Sequence, residues 1–191
     1  MGFNKKSFLK VLDRYSKKRI INSKLINAAV LIPLFSQNGE CHLLFTKRTD
    51  KVETHKGEIS FPGGVQDKTD GNLLETALRE TYEEIGINTE DVEILGELDD
   101  IETNTNFIIS PFVGIIPHPY EFKINEIEIE ELIHVPLESL LNGDNFWEES
   151  WNYKGRKYPM YFYRYEDNII WGATGKIVKH FLDIIKESLT E

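Results

Sequence analysis

Residues Leu73 to Ile87, LLETALRETYEEIGI, constrain the fold more than any other stretch of the chain. At about 100° per residue, Leu74, Ala77, Leu78, Thr81, Tyr82 and Ile85 fall on one side of a helix. The spacing predicts a helix over 74–85, closed by Gly86, with that side packed on a sheet. Glu80, Glu83 and Glu84 fall together on a different side, because i, i+3 and i+4 are helical neighbours. Three like charges repel there, and they sit in the last two turns, where the helix dipole disfavours negative charge. A bound divalent cation turns that repulsion into coordination, and hard oxygens suit Mg²⁺ or Mn²⁺. The competing reading is a solvated acidic face. The preceding Phe61-Pro62-Gly63-Gly64 favours the cation, since glycine lets backbone atoms approach a ligand closely and a carbonyl there can add an oxygen. Arg79 offsets part of the charge.

The rest of the chain supplies the sheet. Ile26 to Phe35 is an apolar run without helical spacing, Ser36 to Gly39 is a turn signal, and Cys41 to Thr46 returns, which reads as a hairpin. Val92–Leu98, Ile108–Ile116, Lys157–Tyr165 and Ile169–Trp171 read as further strands. Glu121 to His134 mixes strand and loop with dense carboxylates. Pro136–Leu141 reads as a short helix and Thr174–Ser188 as a final amphipathic one. The expectation is α+β: an α-β-α sandwich, a mixed sheet between helices, in one domain. With 191 residues, 40% hydrophobic and 28% charged, the chain can bury a core without staples. Cys41 is the single cysteine, so an internal disulfide and a cysteine-based zinc site are excluded. The apolar runs are too short to cross a bilayer, and no secretory signal is expected, so a cytoplasmic protein without membrane partners is.

Charge is unevenly placed. Residues 1–24 carry a net of +7, which leaves −17 for the remainder of a chain whose total is −10. Phe8, Val11, Leu12 and Tyr15 share one helical face, so this arm reads as a basic amphipathic helix lying on the body. The acidic remainder argues against nucleic-acid binding, which depends on phosphate neutralisation by many cations. Trp147, Trp151 and Tyr153 read more readily as packing than as a stacking surface for a base. The five histidines lack ligand spacing.

The segment GGVQDKTDGNLLETALRETYEEIGI resembles the Nudix box, G-x5-E-x7-R-E-u-x-E-E-x-G-u with u aliphatic. Arg79 to Ile87 fits closely, with Thr81 at one u position. The first half departs: Gly71 stands at the glutamate position, the spacing from Gly64 is one residue long, and Asp70 is the candidate stand-in acid. Leu43 to Gly64 is similar to the stretch that marks the coenzyme A pyrophosphatase branch, through Thr46, Arg48, Gly57, Phe61, Pro62, Gly63 and Gly64. Thr49 stands for a serine there and Glu53 for an arginine. Ile170 to Thr174 also looks like that branch.

The resemblance implies a Nudix fold over residues 25–191 behind the basic segment 1–24. It implies a metal-dependent pyrophosphohydrolase that cleaves the diphosphate of CoA or acyl-CoA, with Mg²⁺ or Mn²⁺. Other nucleoside diphosphate derivatives, ADP-ribose, NADH, dinucleoside polyphosphates or dNTPs, remain alternatives, as does a Nudix-fold binding module without turnover. Glu80, Glu83, Glu84 and the Gly63 carbonyl are the implied metal ligands. Glu83, Glu84 and Arg79 form the implied catalytic set, and Arg48, Gly63 and Gly64 the substrate-binding set. Glu126, Glu128 and Glu131 are candidate bases, each set against a solvated-surface reading. Lys47, Lys51, His55, Lys56 and Lys68 add positive charge to the loop. A homodimer is left open.

Overall fold

A computed structural model describes residues 4–22, 24–51, 56–153 and 155–189. Strands β1 (Ile26–Gln37) and β2 (Glu40–Arg48) form the expected hairpin, paired from Leu34↔Leu43 to Gln37↔Glu40. Its turn residues Asn38 and Gly39 both have positive φ, 54° and 81°, the conformation that an Asn-Gly turn favours. Below Leu43 the two strands part and the chain from 59 to 65 fills the gap. Strand β3 (Ile59–Ser60) pairs with Thr46 and Lys47 of β2, and β4 (Gly63–Val65) pairs with Ala28 to Val30 of β1. Between them the Leu31 N–H donates to the Pro62 carbonyl at 2.9 Å. This wedge carries the Pro-Gly-Gly bend into the middle of the sheet, where the site lies.

Strand β5 (Glu93–Glu97) and the short β6 (Ile101–Glu102) pair with β7 (Phe107–Ile115), which runs parallel to β1 over its whole length. Strand β8 (Ile129–Pro136) closes the other edge of β2. Helix α1 (Lys5–Arg14) precedes the sheet, and α2 (Leu73–Ile85) packs on one face of it, where Ala77 meets Ala29, Leu31 and Phe112. The opposite face, with Ile32, Leu34, Phe45 and Val113, is covered by α1 through Phe8 and Leu12 and by α4 (Gly172–Leu189) through Val178, Phe181 and Ile185. The layers are those expected: helix, mixed sheet, helices.

Two expectations need correction. Trp147 to Tyr153 belongs to a strand, β9 (Phe146–Tyr153), which follows α3 (Leu137–Leu141) and pairs with β10 (Arg156–Tyr165). With β11 (Asn168–Ile170) these make a second, three-stranded sheet, so the strands near the C-terminus do not extend the first one. Trp147 stacks on Phe162 at 5.0 Å between centroids, the packing role expected of it, whereas Trp151 is 45% exposed. Tyr153's side chain lies outside the described residues. Tyr82, expected on the sheet side of α2, is 55% exposed, and Glu84 is buried in the helix in its place. The apolar stripe turns inward around Ala77, Thr81 and Ile85, and Glu84 joins it because the wedge offers its carboxylate an N–H donor.

Candidate active site

Helix α2 begins at an Asn72 cap, whose side chain accepts from Glu75 N–H, and ends at Gly86 in the left-handed conformation (φ 74°). The chain that follows satisfies the last carbonyls: Asn125 N–H donates to Glu84 O at 2.9 Å and Lys123 N–H to Ile85 O at 3.0 Å. Phe35 stacks with both His42 and His118, with centroids at 5.5 and 4.9 Å, and the His118 contact anchors the start of the same segment. The fold therefore delivers residues 120–128 to the C-terminal end of α2.

The three glutamates divide by burial. Glu84 points inward, with 4% of its side chain exposed; Glu80 is at 21% and Glu83 at 54%. Glu84 Oε2 accepts from the Gly63 N–H at 3.3 Å. Burial nevertheless pushes the Glu84 carboxyl up to about 8, against the lowering effect of that N–H and of Arg48. Burial also raises Glu80, with the Arg79 guanidinium opposing it. Gly64 makes the approach of Glu80 possible: a Cβ there would lie 2.4 Å from the Glu80 Cδ. At Gly63 a Cβ would lie 2.3 Å from the Ala29 carbonyl oxygen.

Arg79 uses all five of its N–H donors. Nε and Nη2 hold both oxygens of Asp70, at 2.9 and 3.0 Å. Nη1 donates to Glu80 Oε1 at 2.9 Å and to Glu83 Oε2 at 3.0 Å, and Nη2 also reaches the Val65 carbonyl at 3.1 Å. The guanidinium hydrogen bonds hold Asp70 well below the usual carboxylate range. Asp70 accepts further from Asp67 N–H and Thr76 Oγ1, both at 2.9 Å. The acid displaced in sequence thus sits where a buried carboxylate is needed to orient the arginine. Arg79 ties one oxygen of Glu80 and one of Glu83 and leaves each its other oxygen.

Arg48 approaches from β2, where the pairing with β8 shifts register between Lys47 and Arg48. Such bulges re-aim side chains. Its Nη1 stands 3.8 Å from Glu84 Oε1 and its Nη2 4.0 Å from Glu128 Oε2. Glu128 is the residue that the sequence left among surface acids. Its charge raises both Glu80 and Glu84 after larger causes, so it faces the same patch. Its backbone is fixed on both sides, by Glu128 N–H to Asn125 O at 3.0 Å and Thr49 N–H to Glu128 O at 2.8 Å. Glu126 and Glu131 are exposed, and Glu131 lies 4.0 Å from Lys47. Lys47 pairs with Glu130, and Lys51, Lys56 and Lys68 are exposed. Glu53 and His55 lie outside the described residues.

The patch is less convergent than helical spacing alone implies: among the described residues, no group of three His, Cys, Asp or Glu side chains stands ready to hold a metal ion. The donor chemistry nevertheless fits a hard divalent cation. A buried carboxylate pushed up to about 8 lacks sufficient positive charge nearby, and Glu80 and Glu83 present oxygens beside it. No helix of the described residues is long and apolar enough to cross a membrane.

This sandwich, with its wedge and its carboxylate helix, has known counterparts, and the chain belongs to the Nudix family: the family's NUDIX domain profile matches residues 25–154. It is a pyrophosphohydrolase of that family. The chain is 37% identical over 153 residues to a Nudix hydrolase NudL of Yersinia enterocolitica, covering 80% of this chain and 78% of that one. It is 33% identical over 152 residues to a NudL of Photorhabdus laumondii, with 80% and 81% covered. The crystal structure of a MutT/nudix family protein from Enterococcus faecalis superposes with a TM-score of 0.57 over 96% of this chain and 70% of that one, at 13% identity, which shows the common fold.

If Glu84 needs a cation to stay ionised, pH and cation act on stability in opposite directions. The folded carboxyl, at about 8, lies above the ordinary value of 4.5. Its contribution to cation-free stability is therefore full below 4.5 and lost as pH rises to 8. Added Mg²⁺ must displace a proton at pH 6 and meets an ionised group more often at pH 8. Thermal unfolding with EDTA or with Mg²⁺ should show a larger Mg²⁺-induced rise in Tm at pH 8 than at pH 6. Equal rises at both pH values would contradict it.

Proposed function

We propose that this pyrophosphohydrolase splits the diphosphate bridge of coenzyme A or acyl-CoA, releasing adenosine 3',5'-bisphosphate and (acyl-)4'-phosphopantetheine. The observation that carries the reading is spatial. From the stretch Leu43 to Gly64, similar to the CoA branch in sequence, Arg48, Gly63 and Gly64 meet the carboxylate patch, Arg48 at its rim and the two glycines beneath Glu84 and Glu80. Glu80, Glu83, Glu84 and the Gly63 carbonyl would hold Mg²⁺ or Mn²⁺. When bound there, the cation neutralises diphosphate charge and lowers the pKa of water.

The chain's own groups do the rest. Arg48 offers a guanidinium fork to a phosphate. Arg79 keeps Glu80 and Glu83 in fixed orientation through its bond to Asp70. Water attacks one phosphorus, the bridging P–O bond breaks, and a carboxylate of the patch, Glu83, Glu84 or Glu128, takes the water's proton. Residues 1–24 precede a catalytic domain of residues 25–191, their described part, residues 4–22 and 24, being an arm laid on it, and the enzyme works in the cytoplasm.

Incubation with Mg²⁺ or Mn²⁺ and a panel of CoA, acyl-CoA, ADP-ribose, NADH and dNTPs, with products identified by mass, tests the reading. CoA or an acyl-CoA should turn over fastest and give the two phosphomonoester products. Faster turnover of ADP-ribose, NADH or a dNTP would refute the CoA assignment. No turnover of any of them with either cation would refute the activity itself.

A further inference from the structure

Two arginines meet the carboxylate patch, and their hydrogen bonding is opposite. Arg79 has every donor engaged. Arg48 is three-quarters buried, with 24% of its side chain exposed, yet among the described residues none of its guanidinium nitrogens has a hydrogen-bond acceptor. Its Nε is buried without a partner, and its Nη atoms stop 3.8 and 4.0 Å from Glu84 and Glu128. Buried donors are ordinarily satisfied, and an unsatisfied one is destabilising. The backbone does not explain the shortfall, because Arg48 N–H donates to Glu58 O at 3.0 Å and its carbonyl accepts from Gly57 N–H at 3.1 Å. The strand is fixed while the head group is held beside two carboxylates, too far for a bond with either.

A guanidinium fork in that state matches a tetrahedral oxyanion, which can take two parallel N–H donors. The same positive charge is also what stands nearest to the buried Glu84 carboxylate. A cation bound to that carboxylate would do the same electrostatic work and would repel the guanidinium. We infer that Arg48 links cation binding to phosphate capture. It lies against Glu84 and Glu128 while their charge is uncompensated, and it turns its fork to a substrate phosphate once a divalent cation takes that charge over. The inference rests on the proposed function above and adds a coupling to it. By linkage the coupling is reciprocal: the anion must tighten the cation by the factor with which the cation tightens the anion.

Calorimetry on the full chain tests it, with Mn²⁺ alone, adenosine 3',5'-bisphosphate alone, and each in the presence of the other. In the unmodified protein, Mn²⁺ should tighten the bisphosphate by about tenfold or more. Arg48→Gln removes a charge that opposes the cation, so Mn²⁺ alone should bind about three- to tenfold tighter while the coupling falls below about threefold. Arg48→Lys keeps the charge and loses the fork. It should bind Mn²⁺ as the unmodified protein does, with coupling between the other two, and it guards against a folding defect in the glutamine variant. Weaker Mn²⁺ binding by Arg48→Gln, as a purely structural role would give, or undiminished coupling, would overturn the inference. An unmodified protein that binds both partners independently would overturn it too and leave the proposed function standing. An unmodified protein that binds no Mn²⁺ would overturn the proposed function itself.

Discussion

Replacing Glu84 with Gln should lower cation-dependent turnover by about 10³-fold or more, some 4 kcal/mol of barrier, while leaving the protein folded. The amide keeps the shape and can still accept the Gly63 N–H that now reaches Glu84 Oε2 at 3.3 Å. What it loses is the negative charge. Because burial disfavours that charge in the free protein, the variant should unfold at an equal or higher temperature than the unmodified chain above neutral pH. The rise in Tm caused by Mg²⁺ should largely vanish. Steady-state kinetics and thermal unfolding on the same preparations separate these effects. Near-normal turnover in Glu84→Gln would remove the residue from the site, and a large drop in Tm would mean that its charge is structural.

Arg79→Ala should be costly in both respects. Asp70 is nearly buried, with 5% of its side chain exposed, and loses a two-pronged partner. Glu80 and Glu83 lose the donor that spaces them. Stability should fall by about 2–4 kcal/mol, the range for stranding a largely buried charge that was hydrogen bonded. Turnover should fall about 10²-fold or more beyond any loss of folded protein, since the liganding oxygens are no longer fixed. Arg79→Lys separates charge from geometry. One ammonium cannot span Asp70, Glu80, Glu83 and the Val65 carbonyl, so it should recover part of the stability and little of the turnover. Denaturant unfolding and kcat measured at equal folded fraction give the two numbers. If Arg79→Lys restores full turnover, the positional role assigned to the guanidinium fork is wrong.

How much of this could be read beforehand varies with the range of the forces involved. The hairpin around Asn38-Gly39, the amphipathic α2 with its Gly86 cap, and the arm with Phe8 and Leu12 buried follow local rules of spacing and turn chemistry, and they stand where those rules put them. The three-stranded sheet was half missed because β9 alternates tryptophans with glutamates and serine, a pattern that declares itself only once β10 supplies partners across the strand. Tyr82 and Glu84 exchanged their expected environments for a related reason. Helical spacing places both near the edge of the apolar stripe, and the choice was made by a donor, Gly63 N–H, that arrives from a different part of the chain.

The same distinction holds at the site. Glu80, Glu83, Glu84 and Arg79 were visible because they lie within one helix and one motif. Asp70 was visible only as a displaced acid, and its bidentate grip on Arg79 gives the displacement a physical meaning. Glu128 could not be separated from Glu126 and Glu131 by composition. What selects it is a set of backbone bonds, Asn125 to Glu84 and Thr49 to Glu128, between residues far apart in sequence. The extra exposure of Glu83 was likewise beyond reach, since it depends on side-chain geometry.

The central claim is that the oxygens at the C-terminal end of α2 gather around a divalent cation. Crystals of the full chain soaked in Mn²⁺, with anomalous data collected at the manganese edge, test it most directly. The account predicts a peak within coordination distance of Glu84, of Glu80 or Glu83, and of the Gly63 carbonyl, with Arg79 still bound to Asp70. A protein that takes up manganese elsewhere, or that shows no peak beside these oxygens at saturating metal, would contradict it.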